Sequence, residues 1–188
     1  VRFLGREAGE TEGLARTLAA ELDMTYVSPY NDLHVIAGQG TVGREIAEQL
    51  GSESVDAVVV AVGGGGLISG VAATIKSALP GTWVIGASPA NDAAMAASVK
   101  AGRVVDIDAR PPISDGTAGG IEPGAVTLPL CRELVDEWVL VTEEQIHQTL
   151  RLTIDTEHQL LEGAAATAIA AALQAGESRP GQTIAVVS

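Results

Sequence analysis

Four consecutive glycines, Gly63, Gly64, Gly65 and Gly66, stand between a β-branched run, DAVVVAV at 56–62, and a helical pattern, LISGVAATIKSAL at 67–79. Each glycine costs roughly 0.5–1 kcal/mol relative to alanine in a regular element, so four in a row do not serve stability. What they offer is bare backbone. Several N–H groups can face one anion with no Cβ in the way, and the helix that follows adds the partial positive charge of its N-terminus. A phosphate group suits this chemistry. The plainer reading is a tight strand-to-helix turn with close packing, for which one or two glycines would suffice. Gly64, Gly66 and Gly70 also allow a G-x-G-x-x-x-G reading, but a dinucleotide fold wants an acidic residue at the tip of the next strand. That strand, TWVIGAS at 82–88, ends in Ala87-Ser88, and no Gly-Lys-Ser/Thr of a P-loop is present.

The other chemistry-bearing residues form no second constellation. Cys131 is the one cysteine, which excludes an internal disulfide and a multi-cysteine metal site. Within LPLCRELV (128–135) it reads as a small buried apolar residue. His147 and His158 lie eleven residues apart on helical sequence, on one face but too distant to share a metal, and His34 falls in a loop. Lys76 and Lys100 are the only lysines, and both read as solvated surface residues. No serine-nucleophile elbow or clustered triad is present, and no metal site is expected.

The frame that positions the glycines is legible from the periodicities. ETEGLARTLAAELD (10–23) places Leu14, Leu18 and Leu22 on one helical face. MTYV (24–27) is a short β-prone run, SPYND (28–32) is turn chemistry, and a second helix is expected from Gly40 or Thr41 to Leu50. The near-continuous apolar strands 56–62 and 82–88 suit parallel strands buried on both faces. Helices are expected at 91–102 and 128–135, strands at 137–141 and 182–188, and a Pro- and Gly-rich loop at 110–124. Thr142 and Gln145 form a capping box for a helix reaching about Leu161, and an Ala-rich helix follows from Glu162 to Gly176. Strands alternating with helices mean the α/β class, with a parallel sheet covered by helices.

The chain of 188 residues is 46% apolar, enough for a core, with aromatics at only 3%, so Ala, Val, Leu and Ile must build it. A net charge of −13 disfavours nucleic acid and anionic membrane surfaces. No apolar run reaches the ~18 residues of a membrane span, and VRFLGREAGE has no apolar signal core. The expectation is one cytoplasmic α/β domain over 1–188, cut at both ends.

Taken together, VIAGQGTVGREI (35–46), VVVAVGGGGLISGVAATIK (58–76), VIGASP (84–89), ISDGTAGG (113–120), LVDEWVLVTEEQI (134–146), LLEGAAATAIAA (160–171) and TIAVVS (183–188) resemble the serine/threonine dehydratase and serine racemase family. These are pyridoxal-phosphate enzymes of the tryptophan synthase β type. The resemblance implies the larger domain of that fold, an open twisted parallel sheet covered by helices, with pyridoxal 5'-phosphate as cofactor and a homodimer as assembly. It implies β-elimination of serine, threonine or a related hydroxy-amino acid to a 2-oxo acid and ammonia. Racemisation on the same scaffold is the nearest alternative, because both begin with α-proton removal. By the same resemblance, Gly63, Gly64, Gly65, Gly66 and the Leu67 amide cradle the cofactor phosphate, and Ser188 hydrogen-bonds the pyridine nitrogen. Glu162 matches a glutamate near the cofactor, and Asp115-Gly116 approaches the ring or is plain turn chemistry.

The chain departs from the family pattern in two places. The family's Schiff-base lysine lies upstream of this sequence, and neither Lys76 nor Lys100 matches its position. In the cation site that some members carry, the two carboxylate positions correspond to Ser88 and Ala94 and a carbonyl position to Asp92, so the carboxylates a hard cation wants are missing there. Two readings from other classes stay open: a non-catalytic phosphate-ligand binding domain, which the missing lysine favours, and a nucleotide-binding oxidoreductase domain.

Overall fold

The computed structural model describes residues 8–51 and 55–187. Four parallel strands, β1 (Ala57–Ala61), β2 (Trp83–Pro89), β3 (Glu137–Val141) and β4 (Ile184–Val187), form one sheet in the order β3-β2-β1-β4. The chain moves from β1 outward through β2 to β3, then returns to place β4 on the other side of β1. The strand order therefore reverses between β1 and β4. In open α/β sheets the crevice outside the carboxyl ends of the strands at such a switch point is where ligands bind.

Both faces of the sheet are covered. Val58, Val60 and Val84 point to one face, where they meet Ile68, Val71 and Ile75 of α3 (Gly66–Ala78) and Met95 of α4 (Ala94–Ala101). Ala57, Val59, Ile85 and Ala87 point to the other, against Ile146 of α6 (Glu143–Glu157) and Ala166, Ala170 and Ala171 of α7 (Gly163–Ser178). The period-two alternation with both faces apolar explains why the sequence of β1 reads as an unbroken run. Alanines on the inner face of α7 leave little side chain between helix and sheet. Outside α3, α2 (Leu33–Leu50) crosses it at backbone contact: a Cβ on Gly70 would stand 2.2 Å from the Ile36 carbonyl oxygen. The α5 helix (Thr127–Leu134) completes this layer and buries Cys131.

Several boundaries differ from expectation. Residues 24–27 form no strand: Met24 and Val27 are exposed, and the segment pairs with none of the four strands. β propensity needs a pleated neighbour to express itself. The second helix begins at Leu33 rather than near Gly40, because Asp32 caps it, with Oδ1 accepting the N–H groups of His34 at 2.7 Å and Val35 at 3.2 Å. His34 is thus in a helical turn, not a loop. The Thr142–Gln145 capping box is present as read. The helix it opens stops at Glu157, where His158 turns left-handed at φ 56°, so His147 and His158 do not share a continuing helical face. The Ala-rich helix runs past Gly176 to Ser178. Lys76 is not a free surface residue: its Nζ donates to Asp136 Oδ2 at 2.5 Å and to the Thr82 carbonyl at 2.9 Å. Lys100 is exposed, as expected.

Candidate active site

The glycine run leaves β1 at the switch point and delivers the chain into α3. Gly65 is the helix N-cap, left-handed at φ 87°, a conformation an L side chain rarely adopts. The N–H groups of Gly63 to Leu67 meet no acceptor among the described residues. Two of the loop's carbonyls, in contrast, are taken by the protein. Gly64 O accepts from Thr127 Oγ1 at 2.8 Å, and Gly65 O accepts from the Ser69 N–H at 3.0 Å. The loop therefore presents a run of unengaged donors at the positive end of a 13-residue helix.

The glycines serve packing as well, more than the sequence discloses. A Cβ on Gly64 would stand 2.5 Å from Cγ of Tyr30, and one on Gly65 would stand 2.8 Å from Met95 Cε and 3.0 Å from Cys131 Sγ. The plain reading of the run as a tightly packed turn and its reading as an anion cradle are compatible, since the backbone must be bare on both sides.

In front of the loop lies a cavity of about 420 Å³, lined by residues 63–68, Tyr30, residues 116–120, Glu162 and Val187 among others. Its size falls in the range of small-molecule sites, roughly 300–1,000 Å³. Among the described residues no lysine, arginine or histidine lines it. An anion there is held by backbone donors and the helix end, not by a countercharge from these residues. Cys131 lies behind the loop, fully buried, and burial pushes its thiol up to about 11 against a weaker opposing effect of the Ser69 hydroxyl. It is a packing residue.

The expected site residues divide as follows. Gly63 to Leu67 and Glu162 line one cavity. Glu162 is the N-cap residue of α7, makes no capping bond with its side chain, and lies beside Gly116, whose Cβ would be 3.7 Å from its Oε2. Of the pair Asp115-Gly116, only Gly116 faces this cavity. Ser188 lies outside the described residues; Val187, immediately before it, lines the cavity and pairs with Val60. Lys76, Lys100 and the three histidines lie elsewhere.

Tyr30 is the residue that sequence reading passes over. Its ring packs on the glycine loop, and its Oη accepts the Glu122 N–H at 2.9 Å. Its neighbour Asn31 donates to Glu122 Oε2 at 2.7 Å and accepts the Val126 N–H at 2.9 Å. Arg16 of α1 (Ala8–Glu21) adds an ion pair to Glu122 at 2.6 Å. Burial pushes the Glu122 carboxyl up, but the Asn31 and Arg16 donors outweigh it and hold it below its ordinary value. The signal available in the sequence was an aromatic inside a Pro-Tyr-Asn-Asp turn just before a helix cap.

The positions corresponding to the cation site of some relatives do not fit a hard cation. Ser88 Oγ donates to the Val62 carbonyl at 3.2 Å, Ala94 offers only a methyl, and the Asp92 carboxylate accepts the Gly119 N–H at 2.8 Å. Among the described residues no group of three or more His, Cys, Asp or Glu side chains is arranged to hold a metal ion.

A glycine loop with unengaged N–H groups at the switch point of a parallel sheet suits a phosphorylated small molecule. The chain belongs to the pyridoxal-phosphate dependent enzyme family, whose model matches residues 1–188. The family's cofactor is pyridoxal 5'-phosphate, and the bare cradle, its unengaged N–H groups and the cavity before it fit that group. The chain is 43% identical over 162 residues to the L-threonine ammonia-lyase of Thermotoga maritima, covering 86% of this chain and 39% of that protein. Among solved structures it resembles the processed form of threonine deaminase isoform 2 from Solanum lycopersicum, with a TM-score of 0.87 at 34% identity over 99% of this chain and 54% of that one. It also resembles the serine racemase of Dictyostelium discoideum, with a TM-score of 0.81 at 30% identity over 96% and 57%. The chain thus spans well under two thirds of the length of these relatives. The resemblance read from the sequence, and the open parallel sheet it implied, are borne out. Among the described residues no helix is long and apolar enough to cross a membrane.

Proposed function

We propose that the whole protein is a pyridoxal-phosphate-dependent ammonia-lyase that converts threonine, serine or a related hydroxy-amino acid to a 2-oxo acid and ammonia. The observation that carries this reading is the loop 63–67 with its unengaged N–H groups at the β1–β4 switch point, in a chain 43% identical to an L-threonine ammonia-lyase. Bound pyridoxal phosphate supplies an electron sink that acidifies the α-hydrogen of an amino acid. The chain's own part is to hold and orient. The N–H groups of Gly63, Gly64, Gly65, Gly66 and Leu67 donate to the phosphate. By the family pattern Ser188, next after Val187, would donate its hydroxyl to the ring nitrogen, and a neutral partner there would keep the sink moderate. Glu162 places a carboxylate at the cavity wall, where it holds or passes a proton during loss of the β-hydroxyl. The Schiff-base lysine is not Lys76, which Asp136 and Thr82 engage, nor Lys100, which lies exposed outside the cavity. It belongs to a part of the enzyme preceding residue 1.

A second reading, amino-acid racemase, is favoured by the likeness to serine racemase at 30% identity. A third, a non-catalytic phosphate-ligand domain, rests on the missing lysine alone. Incubating the whole protein and pyridoxal phosphate with L-threonine and L-serine separates them. Release of 2-oxo acid and ammonia in equal amounts supports the lyase. Accumulation of D-serine without ammonia supports the racemase, and a phosphate-dependent shift in melting temperature with neither product supports the binding domain. The reading carries with it a cytoplasmic homodimer with a small-molecule substrate, and light scattering of the purified protein tests the dimer.

A further inference from the structure

The cavity wall formed by residues 116–120 has open space on two sides. Ala118, Gly119 and Gly120 line the glycine-loop cavity on one side and a second hollow of about 660 Å³ on the other. With cavities on both sides, residues 118–120 gain less from packing than the buried Ser114 and Thr117 before them, which leaves hydrogen bonds a larger part in setting where they stand. The wall's internal bonds, Ser114 Oγ to Thr117 Oγ1 at 2.7 Å and the Thr117 N–H to Ser114 O at 3.2 Å, curl the segment without anchoring it.

Two carboxylates from separate elements supply the anchors. Asp92, in the turn between β2 and α4, is 6% exposed, and its Oδ2 accepts the Gly119 N–H at 2.8 Å. Glu143, the first residue of α6, accepts the Ile113 N–H through Oε2 at 2.6 Å. Between these points Thr117 abuts the start of the glycine loop: a Cβ on Gly63 would stand 2.8 Å from Thr117 O. Gly116 abuts Glu162. A shift of the wall would therefore move against both the phosphate cradle and the carboxylate at the cavity rim.

We infer that Asp92 is a positioning residue, with Glu143 as its counterpart: the two carboxylates fix residues 113–119 as the wall facing the cofactor. This rests on the reading of the cavity as the cofactor site.

The test is hydrogen exchange by mass spectrometry on the whole protein, with and without pyridoxal phosphate, for wild type, Asp92→Ala, Asp92→Asn and Glu143→Gln. Loss of a hydrogen bond to a charged acceptor should speed exchange at 116–120 by roughly tenfold or more in Asp92→Ala, with peptides of α2 and α3 unchanged. Release of the cofactor, followed by its visible absorbance, should quicken by a similar factor. Asp92→Asn keeps an oxygen acceptor and should recover much of both. Glu143→Gln should loosen the 113 end, and addition of a chelator should change nothing in the wild type. Unchanged exchange at 116–120 in Asp92→Ala, or equal acceleration throughout the sheet, overturns the inference. A chelator that loosens the wild-type wall overturns it too. If the wild type takes up no pyridoxal phosphate while Asp92→Ala still loosens the wall, the anchor stands and the cofactor reading falls.

Discussion

The ring of Tyr30 presses on the backbone of Gly64 so closely that a Cβ on Gly64 would stand 2.5, 2.6 and 2.7 Å from Cγ, Cδ1 and Cδ2. The aromatic and the bare residue are one unit. Gly64→Ala should destabilise the fold by about 1–3 kcal/mol through overpacking. Tyr30→Ala removes the obstacle, so the double variant should lose less than the two single losses added together. Urea unfolding of the three variants measures this coupling, and strict additivity would refute it.

Alkaline pH should weaken the fold in two stages. Burial holds the Cys131 thiol at about 11, above its ordinary 9.0, and burial holds the Tyr30 hydroxyl at about 12, above its ordinary 10.0. The unfolded chain loses each proton first. The stability these groups contribute is therefore full below about pH 9 and declines as pH rises towards about 11 for Cys131 and about 12 for Tyr30. Urea midpoints measured at about pH 8, 9.5 and 10.5 should fall, and Cys131→Ala should flatten the first part of the fall. The same burial predicts that a thiol reagent at about pH 8 labels Cys131 only on unfolding.

The lysines should prove structural. Lys76 and Asp136 are partly exposed, with side chains at 26% and 32%, so Lys76→Met should cost at most about 1 kcal/mol. Asp136 also accepts the Val84 N–H at 2.7 Å, and Asp136→Ala should cost more, roughly 1–3 kcal/mol, because a strand donor loses its partner. Borohydride reduction of the holoprotein followed by peptide mass analysis should find no cofactor adduct on Lys76 or Lys100. An adduct on either would move the catalytic lysine into this chain.

Two glycines on one pair of helices should respond in opposite directions. Gly70→Ala forces a Cβ to within 2.2 Å of Ile36 O and should destabilise by about 1–3 kcal/mol or more. Nothing lies within 4 Å of a Cβ on Gly38, so Gly38→Ala should stabilise α2 by up to about 1 kcal/mol. Thermal melts of the two variants compare them directly.

What the sequence disclosed was whatever one element can say by itself. Val58-Val59-Val60 marked a strand buried on both faces, Thr142 and Gln145 announced a cap, and the glycines announced a bare loop. What it withheld depended on partners far along the chain. Tyr30 meets Gly64, Thr117 meets Gly63, and Gly119 meets Asp92 only once the sheet has brought them together. Lys76 looked solvated because Asp136 lies 60 positions away. The start of α2 is a different kind of miss: Asp32 is a standard cap residue followed by helical sequence, and the glycines at 38, 40 and 43 obscured it. Those at 40 and 43 reflect the close crossing with α3 rather than an absence of helix.

The pairing of β1 with β4 joins segments far apart in sequence: the Asp56 carboxylate accepts the Thr183 N–H across 127 positions. The switch point, and the cavity in front of it, therefore lacks one flank until β4 docks. During synthesis the β1–α3–β2 unit with its glycine loop can form early, yet the cavity stays incomplete until residues 184–187 have left the ribosome. Contacts this distant slow folding, because a long loop must close before they form. Cofactor capture should accordingly wait until β4 has joined β1.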